Sequence, residues 1–197
     1  LGPREARIIR KELGRDPTLV ELWAFNVEWN EHCGYPSSRK WIRKYFIESG
    51  LTHAPNVAQT IGADAGGILL PPNKRGEIYV VTFKIESHNH PSQKMPYEGA
   101  ATGIGGIIRD QQGEVIAIID LLRFGNPYGR NASRTRLIAN GVIAGIGNGY
   151  GNPVGIPNIG GDIVFNPTFD ENCLVNVGAV GLVRKDDIIP NKIPENR

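Results

Sequence analysis

Neither sign of charge dominates this sequence. Lys and Arg number 22 against 20 Asp and Glu, a formal net charge of +2, and no block of like charge interrupts the chain. Bulk charge therefore gives no support to a nucleic-acid or membrane-surface role. Long hydrophobic runs are also missing. None approaches the roughly 18 apolar residues that a spanning helix needs, and no signal-peptide pattern is visible. Cysteine is nearly absent: Cys33 and Cys173 are far apart and match no metal-ligand spacing. That usage is expected of a chain with reduced thiols in the cytoplasm, which makes Asn131-Ala132-Ser133 a chance glycosylation match. No glycine run ends in Lys-Ser or Lys-Thr as a P-loop does, and Gly103-Ile104-Gly105-Gly106 lacks the rest of a dinucleotide fingerprint.

What is present is glycine, 25 in 197 residues with no collagen period, so glycine should mark turns and close backbone approaches. The length suits one domain with a real core, or at most one and a half. An apolar fraction of 40% and a charged fraction of 21% are those of a globular protein. Asp16-Pro17-Thr18 reads as a helix start, with Asp16 as cap and Pro17 at the first helical position. A second helix is expected from Ser37 or Ser38 to Gly50. Residues 61–70 and 77–87 read as strands joined by a turn-rich connection, and 99–110 as a tightly packed helix. Residues 114–124 read as a buried strand, and 133–151 as a helix dissolving into glycines. Two more strands should follow, in Ile159–Asn166 and Leu174–Val183. The fold class is α+β, a substantial mixed sheet with packed helices.

Three clusters carry ionisable chemistry. In the first, Val80–Phe83 runs into Lys84, Glu86, His88, Asn89 and His90 before Pro91. Alternation along a strand puts Lys84, Glu86 and His88 on one face and Ile85 and Ser87 on the other. A Lys offers a point charge for phosphate, a Glu is a hard oxygen ligand suited to Mg²⁺, and a His moves a proton near neutral pH. The competing bland reading is an exposed strand end with solvated charges. The second cluster is Arg109-Asp110, delivered by an apolar helix: a cation for an anionic substrate and a second carboxylate for a metal, or simply a surface ion pair. The third is Glu31-His32-Cys33-Gly34-Tyr35. His32 beside Cys33 suggests a thiol nucleophile, but sequence neighbours seldom face each other on a helix, and nothing local activates Cys33.

The stretches WNEHCGYPSSR, FKIESHNHPSQKMPYEGAATGIGGIIRD, LRFG, GIPNIGGDIVFN and NPTFDENCLVNVGAVGLV resemble, in order, the phosphoribosylformylglycinamidine synthase family. The similarity runs from about Pro17 to Asp187, and the block from Phe83 to Asp110 is its most specific part. The family belongs to the aminoimidazole ribonucleotide synthetase superfamily. The resemblance implies a ligase of purine biosynthesis. ATP phosphorylates the amide oxygen of formylglycinamide ribonucleotide, and ammonia from a glutaminase subunit displaces phosphate to leave the amidine. A small accessory subunit completes the complex. It further implies ATP contacts at Tyr35 and Lys84 and Mg²⁺ ligands at Glu86 and Asp110. Substrate contacts would fall at Ser87, His88, Asn89, His90 and Arg109. His88 would be the proton acceptor and His32 a second catalytic histidine.

Two local features depart from the family pattern. Pro36 follows Tyr35 and fixes the backbone there, and the segment between Arg109 and Asp120 is shorter than is usual. Family members are also several times longer. The expected organisation is an N-terminal helical extension over 1–50 and an ATP-binding-type N-domain over 51–197, without the C-domain, and so inactive alone. In the superfamily such domains pair their sheets into a barrel, so a homodimer is expected. The alternative is a non-catalytic dimerisation or assembly module of the same fold.

Overall fold

Val80, Val81, Thr82 and Phe83 are β-branched and aromatic, and this run lies within an unbroken nine-residue antiparallel pairing, Tyr79–Ser87 against residues 176–184. A computed structural model describes residues 2–28, 35–59 and 63–189. The chain divides into two units, Leu1–Thr52 and His53–Arg197.

The first unit is helical: α1 (Pro3–Leu13), α2 (Leu19–Glu28) and α3 (Tyr35–Ile42), with a widened π turn over Arg43–Ile47. Helix α2 starts later than Asp16 suggests. Thr18 is the cap: its Oγ accepts from the Glu21 amide at 3.3 Å, and the Glu21 carboxylate accepts from the Thr18 amide at 2.8 Å. That reciprocal pair satisfies two orphan amides together, while Asp16 is drawn off by Arg10 at 2.8 Å. The helix expected from Ser37 or Ser38 begins at Tyr35, and α1 precedes the first helix start expected from the sequence.

The second unit is built on one six-stranded mixed sheet. Its strands are β1 (Val57–Gln59), β2 (Gly66–Leu69), β3 (Tyr79–Ser87), β4 (Glu114–Phe124), β5 (Asn158–Phe165) and β6 (Leu174–Arg184), in the spatial order β1-β2-β3-β6-β4-β5. Among the described residues only β4 and β5 run parallel. Helix α6 (Ala132–Ala144), extended by a π segment over Gly145–Gly151, makes their crossover. Between β3 and β4 the chain forms α4 (Asn89–Lys94) and α5 (Pro96–Asp110). Among the described residues the strand expected across 61–70 is confined to β2, and β1, only three residues long, lies outside the expected strands. Strand β3 keeps the end expected for residues 77–87. The strand ends at Ser87, and Pro91 sits in the first turn of α4, where its missing amide costs nothing.

One sheet face is covered by α5 and α6. Ile104 and Ile107 of α5 and Ile138 and Val142 of α6 pack on Ile118, Leu122, Val175 and Val177. The opposite face is apolar and open: Ile68 is 52% exposed, Phe83 40% and Ile85 44%. The sheet is not closed into a barrel.

Asp120 is the costly member of the covered face. It is buried, Asn158 donates to its Oδ2, and its Oδ1 has no hydrogen-bond partner. Burial pushes its pKa up from 3.8 to about 6, against the opposing pull of Asn158. A carboxyl with a raised folded pKa costs nothing below pH 3.8, where both states are protonated. The cost grows as pH rises towards 6 and is complete above it. Replacement Asp120→Asn should therefore stabilise the protein at pH 7.5 by about 3 kcal/mol as an upper figure, with the gain vanishing by about pH 4. Thermal melts of both proteins across that range check it; a gain independent of pH would contradict the assignment.

Candidate functional site

Helix α5 runs back along β3, and the two elements bring the first two sequence clusters together. Lys84, in the covered face of β3, reaches the Asp110 Oδ2 at the end of α5 in a short ion pair, and lies 3.8 Å from the Glu86 carboxylate. Arg109 Nε donates to the other Asp110 oxygen at 2.8 Å. Glu86 Oε1 is 3.5 Å from His88 Nε2. The result is one row of alternating charge, Arg109, Asp110, Lys84, Glu86, ending at His88. The bland reading of Arg109-Asp110 as an isolated surface pair does not hold, because the second oxygen of Asp110 is taken by Lys84.

Exposure varies along the row, and Glu86 is 41% exposed. The side chains of His88, Asp110 and Lys84 are 14%, 18% and 22% exposed, while Arg109 is 78% exposed. Partial burial works against the charge of Asp110, but hydrogen bonds from Arg109 and Lys84 outweigh it and hold the carboxyl below its usual range. Both carboxylates thus touch one cation, Lys84 Nζ, so their oxygens converge on a single position. Among the described residues no group of three His, Cys, Asp or Glu side chains is placed to hold a metal. Two carboxylates suit Mg²⁺, which keeps several waters and takes few protein ligands.

The remaining sequence candidates are placed differently. Asn89 is committed to the fold: its Oδ1 accepts from the Val175 amide at 2.8 Å, leaving the amide nitrogen available. His90 is exposed on α4, and Ser87 lies on the opposite, open face of β3. Tyr35 begins α3, with its side chain outside the described residues, and His32 and Cys33 lie outside them altogether. Cys173 is buried, and burial pushes its thiol up to about 11, so it is no nucleophile at neutral pH.

Sequence reasoning missed two features beside the row. Gln93 is buried and accepts from the Cys173 amide at 2.9 Å, fixing α4 to the start of β6. A groove of about 630 Å³ runs along α5 from Tyr97 past Ala101 and Gly105 to Arg109, with Tyr150 on its far side. The small residues of 99–106 are the signal for it, because they leave the helix surface low.

The chain is similar to known proteins over most of its length. The AIR synthase related protein N-terminal domain matches residues 62–183, and the formylglycinamide ribonucleotide amidotransferase linker domain matches residues 1–35. The phosphoribosylformylglycinamidine synthase subunit PurL of Methanothrix thermoacetophila is 50% identical over 98% of this chain, which spans 24% of that protein. The PurL of Parvibaculum lavamentivorans is 46% identical over 95% of this chain and is likewise spanned to 24%. Among solved structures, T. maritima PurL complexed with ATP is 38% identical, with a TM-score of 0.71 over 98% of this chain and 29% of its own. T. maritima PurL complexed with FGAR is 39% identical, with a TM-score of 0.65 over 94% of this chain and 27% of its own. This chain, spanning about a quarter of the length of its curated relatives, belongs through residues 62–183 to the AIR synthase related protein N-terminal domain family and is similar throughout to the PurL subunits.

Proposed function

We propose that the chain carries part of the active site of an ATP-dependent, amidine-forming ligase of purine biosynthesis. The reaction converts formylglycinamide ribonucleotide to formylglycinamidine ribonucleotide. ATP phosphorylates the amide oxygen of the substrate, and ammonia supplied by a glutaminase subunit displaces the phosphate. The observation that carries this reading is the row from Arg109 to His88, which sets two cations, two carboxylates and an imidazole along one seam. The matches to PurL proteins solved with ATP and with FGAR support it.

Each group has a task that its chemistry suits. Glu86 and Asp110 would hold Mg²⁺, which when bound neutralises phosphate charge. Lys84, lying between them, offers its ammonium to the nucleotide phosphates, with Tyr35 as the second ATP contact. Arg109, the exposed end of the row, takes the substrate's anionic group, and Asn89 offers its amide nitrogen. His88 is the proton acceptor, with His32 as the second catalytic histidine. For Ser87 and His90 the substrate role rests on the family resemblance. The glutaminase and a small accessory subunit would be partners in a cytoplasmic complex.

The metal assignment is tested by titrating ATP, with and without Mg²⁺, into wild type, Glu86→Ala and Asp110→Ala. Wild type should bind Mg²⁺-ATP better than ATP alone, and each variant should lose roughly tenfold or more of that affinity, as expected when a charged partner is removed. Equal affinities in all arms would sink the assignment.

The open sheet face supports a second, compatible reading, that of an assembly surface. Ile68, Phe83 and Ile85 share one exposed apolar face, and a patch of that kind is covered in most proteins. Pairing with the sheet of a second copy, or with a matching domain, would close a barrel. Sedimentation of this chain should show a symmetric dimer, and Phe83→Glu should shift it towards monomer. Strictly monomeric wild type at high micromolar concentration would contradict self-pairing.

A further inference from the structure

His88 is restrained on three sides. Its amide donates to the Val175 carbonyl at 2.8 Å. The next side chain clasps the same residue, Asn89 Oδ1 accepting from the Val175 amide at 2.8 Å. The backbone that carries the imidazole is thereby pinned to β6, and only the side-chain torsions remain to place the ring. The third restraint is α5. A Cβ at Gly103 would lie 2.8 Å from Cγ, 2.9 Å from Cδ2 and 3.3 Å from Cβ of His88. These atoms are at the root of the ring and cannot swing clear as the tip of a flexible chain would, so a methyl group at 103 must turn the imidazole off its rotamer.

The helix cannot retreat to make room without losing a second contact. One turn earlier, a Cβ at Gly99 would lie 2.5 Å from the Pro91 carbonyl carbon and 2.6 Å from the Ser92 nitrogen, so the backbone of α4 already rests on α5. With no side chain at 103, His88 Nε2 lies 3.5 Å from Glu86 Oε1, shielded from solvent and without a hydrogen-bond partner. Buried polar atoms are normally satisfied, so this nitrogen is one that a bound group would satisfy.

We propose that Gly103 is a positioning residue for His88: the missing side chain seats the imidazole against Glu86, and any side chain there takes the ring out of line with the reacting amide. The inference rests on the assignment of His88 as proton acceptor. It differs from a simple packing role in sign. Ala is the better helix former, so propensity alone has Gly103→Ala stabilise α5, whereas the ring seat has it destabilise the protein as long as His88 is present.

Two measurements test it. The first is thermal unfolding of this chain as wild type, Gly103→Ala, His88→Ala and the double variant. Gly103→Ala should lower Tm in the wild-type background and raise it in the His88→Ala background. If Gly103→Ala alone fails to fold, recovery of a cooperative melt in the double variant is the same result. An equal loss in both backgrounds overturns the seat. The second is steady-state turnover in the synthetase that contains this chain, with formylglycinamide ribonucleotide, Mg²⁺-ATP and ammonium. Gly103→Ala should lower kcat on the order of 10²-fold, with KM for ATP and for the ribonucleotide nearly unchanged. Wild-type kcat in Gly103→Ala, where His88→Ala is inactive, overturns the positioning role. Full turnover in His88→Ala would instead overturn the proton-acceptor assignment, while the melts would still decide whether Gly103 seats the ring.

Discussion

Helix α5 presents bare backbone to α4 at Gly99 and to His88, just past β3, at Gly103, and the row depends on that close approach. Gly103 faces His88, and Asp110 meets Lys84. The two spacings match. Seven helical residues advance about 10 Å, and four strand residues advance about 13 Å, so a helix seated at His88 delivers its last residue to Lys84. Side-chain reach absorbs the difference. A side chain between α5 and the 88–92 turn would lift the helix and separate the two halves of the charged row.

The row itself works through alternation. Two carboxylates side by side in a partly buried seam would raise each other's pKa, and two cations would repel. Interleaving them, with Lys84 between Glu86 and Asp110 and Arg109 beyond, sets each charge beside one of opposite sign. Asp110 remains an anion despite its burial. Under the proposed function the same arrangement would serve ligands: the two carboxylates would hold the metal, Lys84 would turn to phosphate, and Arg109, the exposed end, would meet the anionic substrate. Asp120 shows the opposite case. Buried on the covered face with only Asn158 to help, it is driven towards the neutral acid.

The two faces of the sheet divide the labour. On the covered face, Ile104, Ile107, Val175 and Val177 fix α5 to the sheet beside the charged row. On the other, Ile68, Phe83 and Ile85 are left to solvent. Strand β3 serves both, since alternate residues point opposite ways: Lys84 and Glu86 to the seam, Phe83 and Ile85 to the open face. A register slip of one residue would exchange the two sets and lose site and surface together.

Much of this was legible in the sequence. The strand over 114–124, the helix ending at Asp110 and the shared face of Lys84 and Glu86 follow from local periodicity, which the fold left in place. The residues of the charged row could be named one by one because their chemistry is unusual at the ends of apolar elements. Other features were beyond local reading. The start of α2 was misplaced because Thr18 and Glu21 cap each other more completely than Asp16 could. The strand β1 is too short to carry a period. That Lys84 bridges two carboxylates, that Asn89 is tied to Val175, and that Gly103 is the floor under His88 depend on pairs 26, 86 and 15 residues apart in the chain. Such contacts exist only once β6 has paired with β3 and α5 has settled on both. The sequence by itself determined which groups stand at the end of the strand; the tertiary structure decided which of them touch, because contact depends on how closely two elements pack.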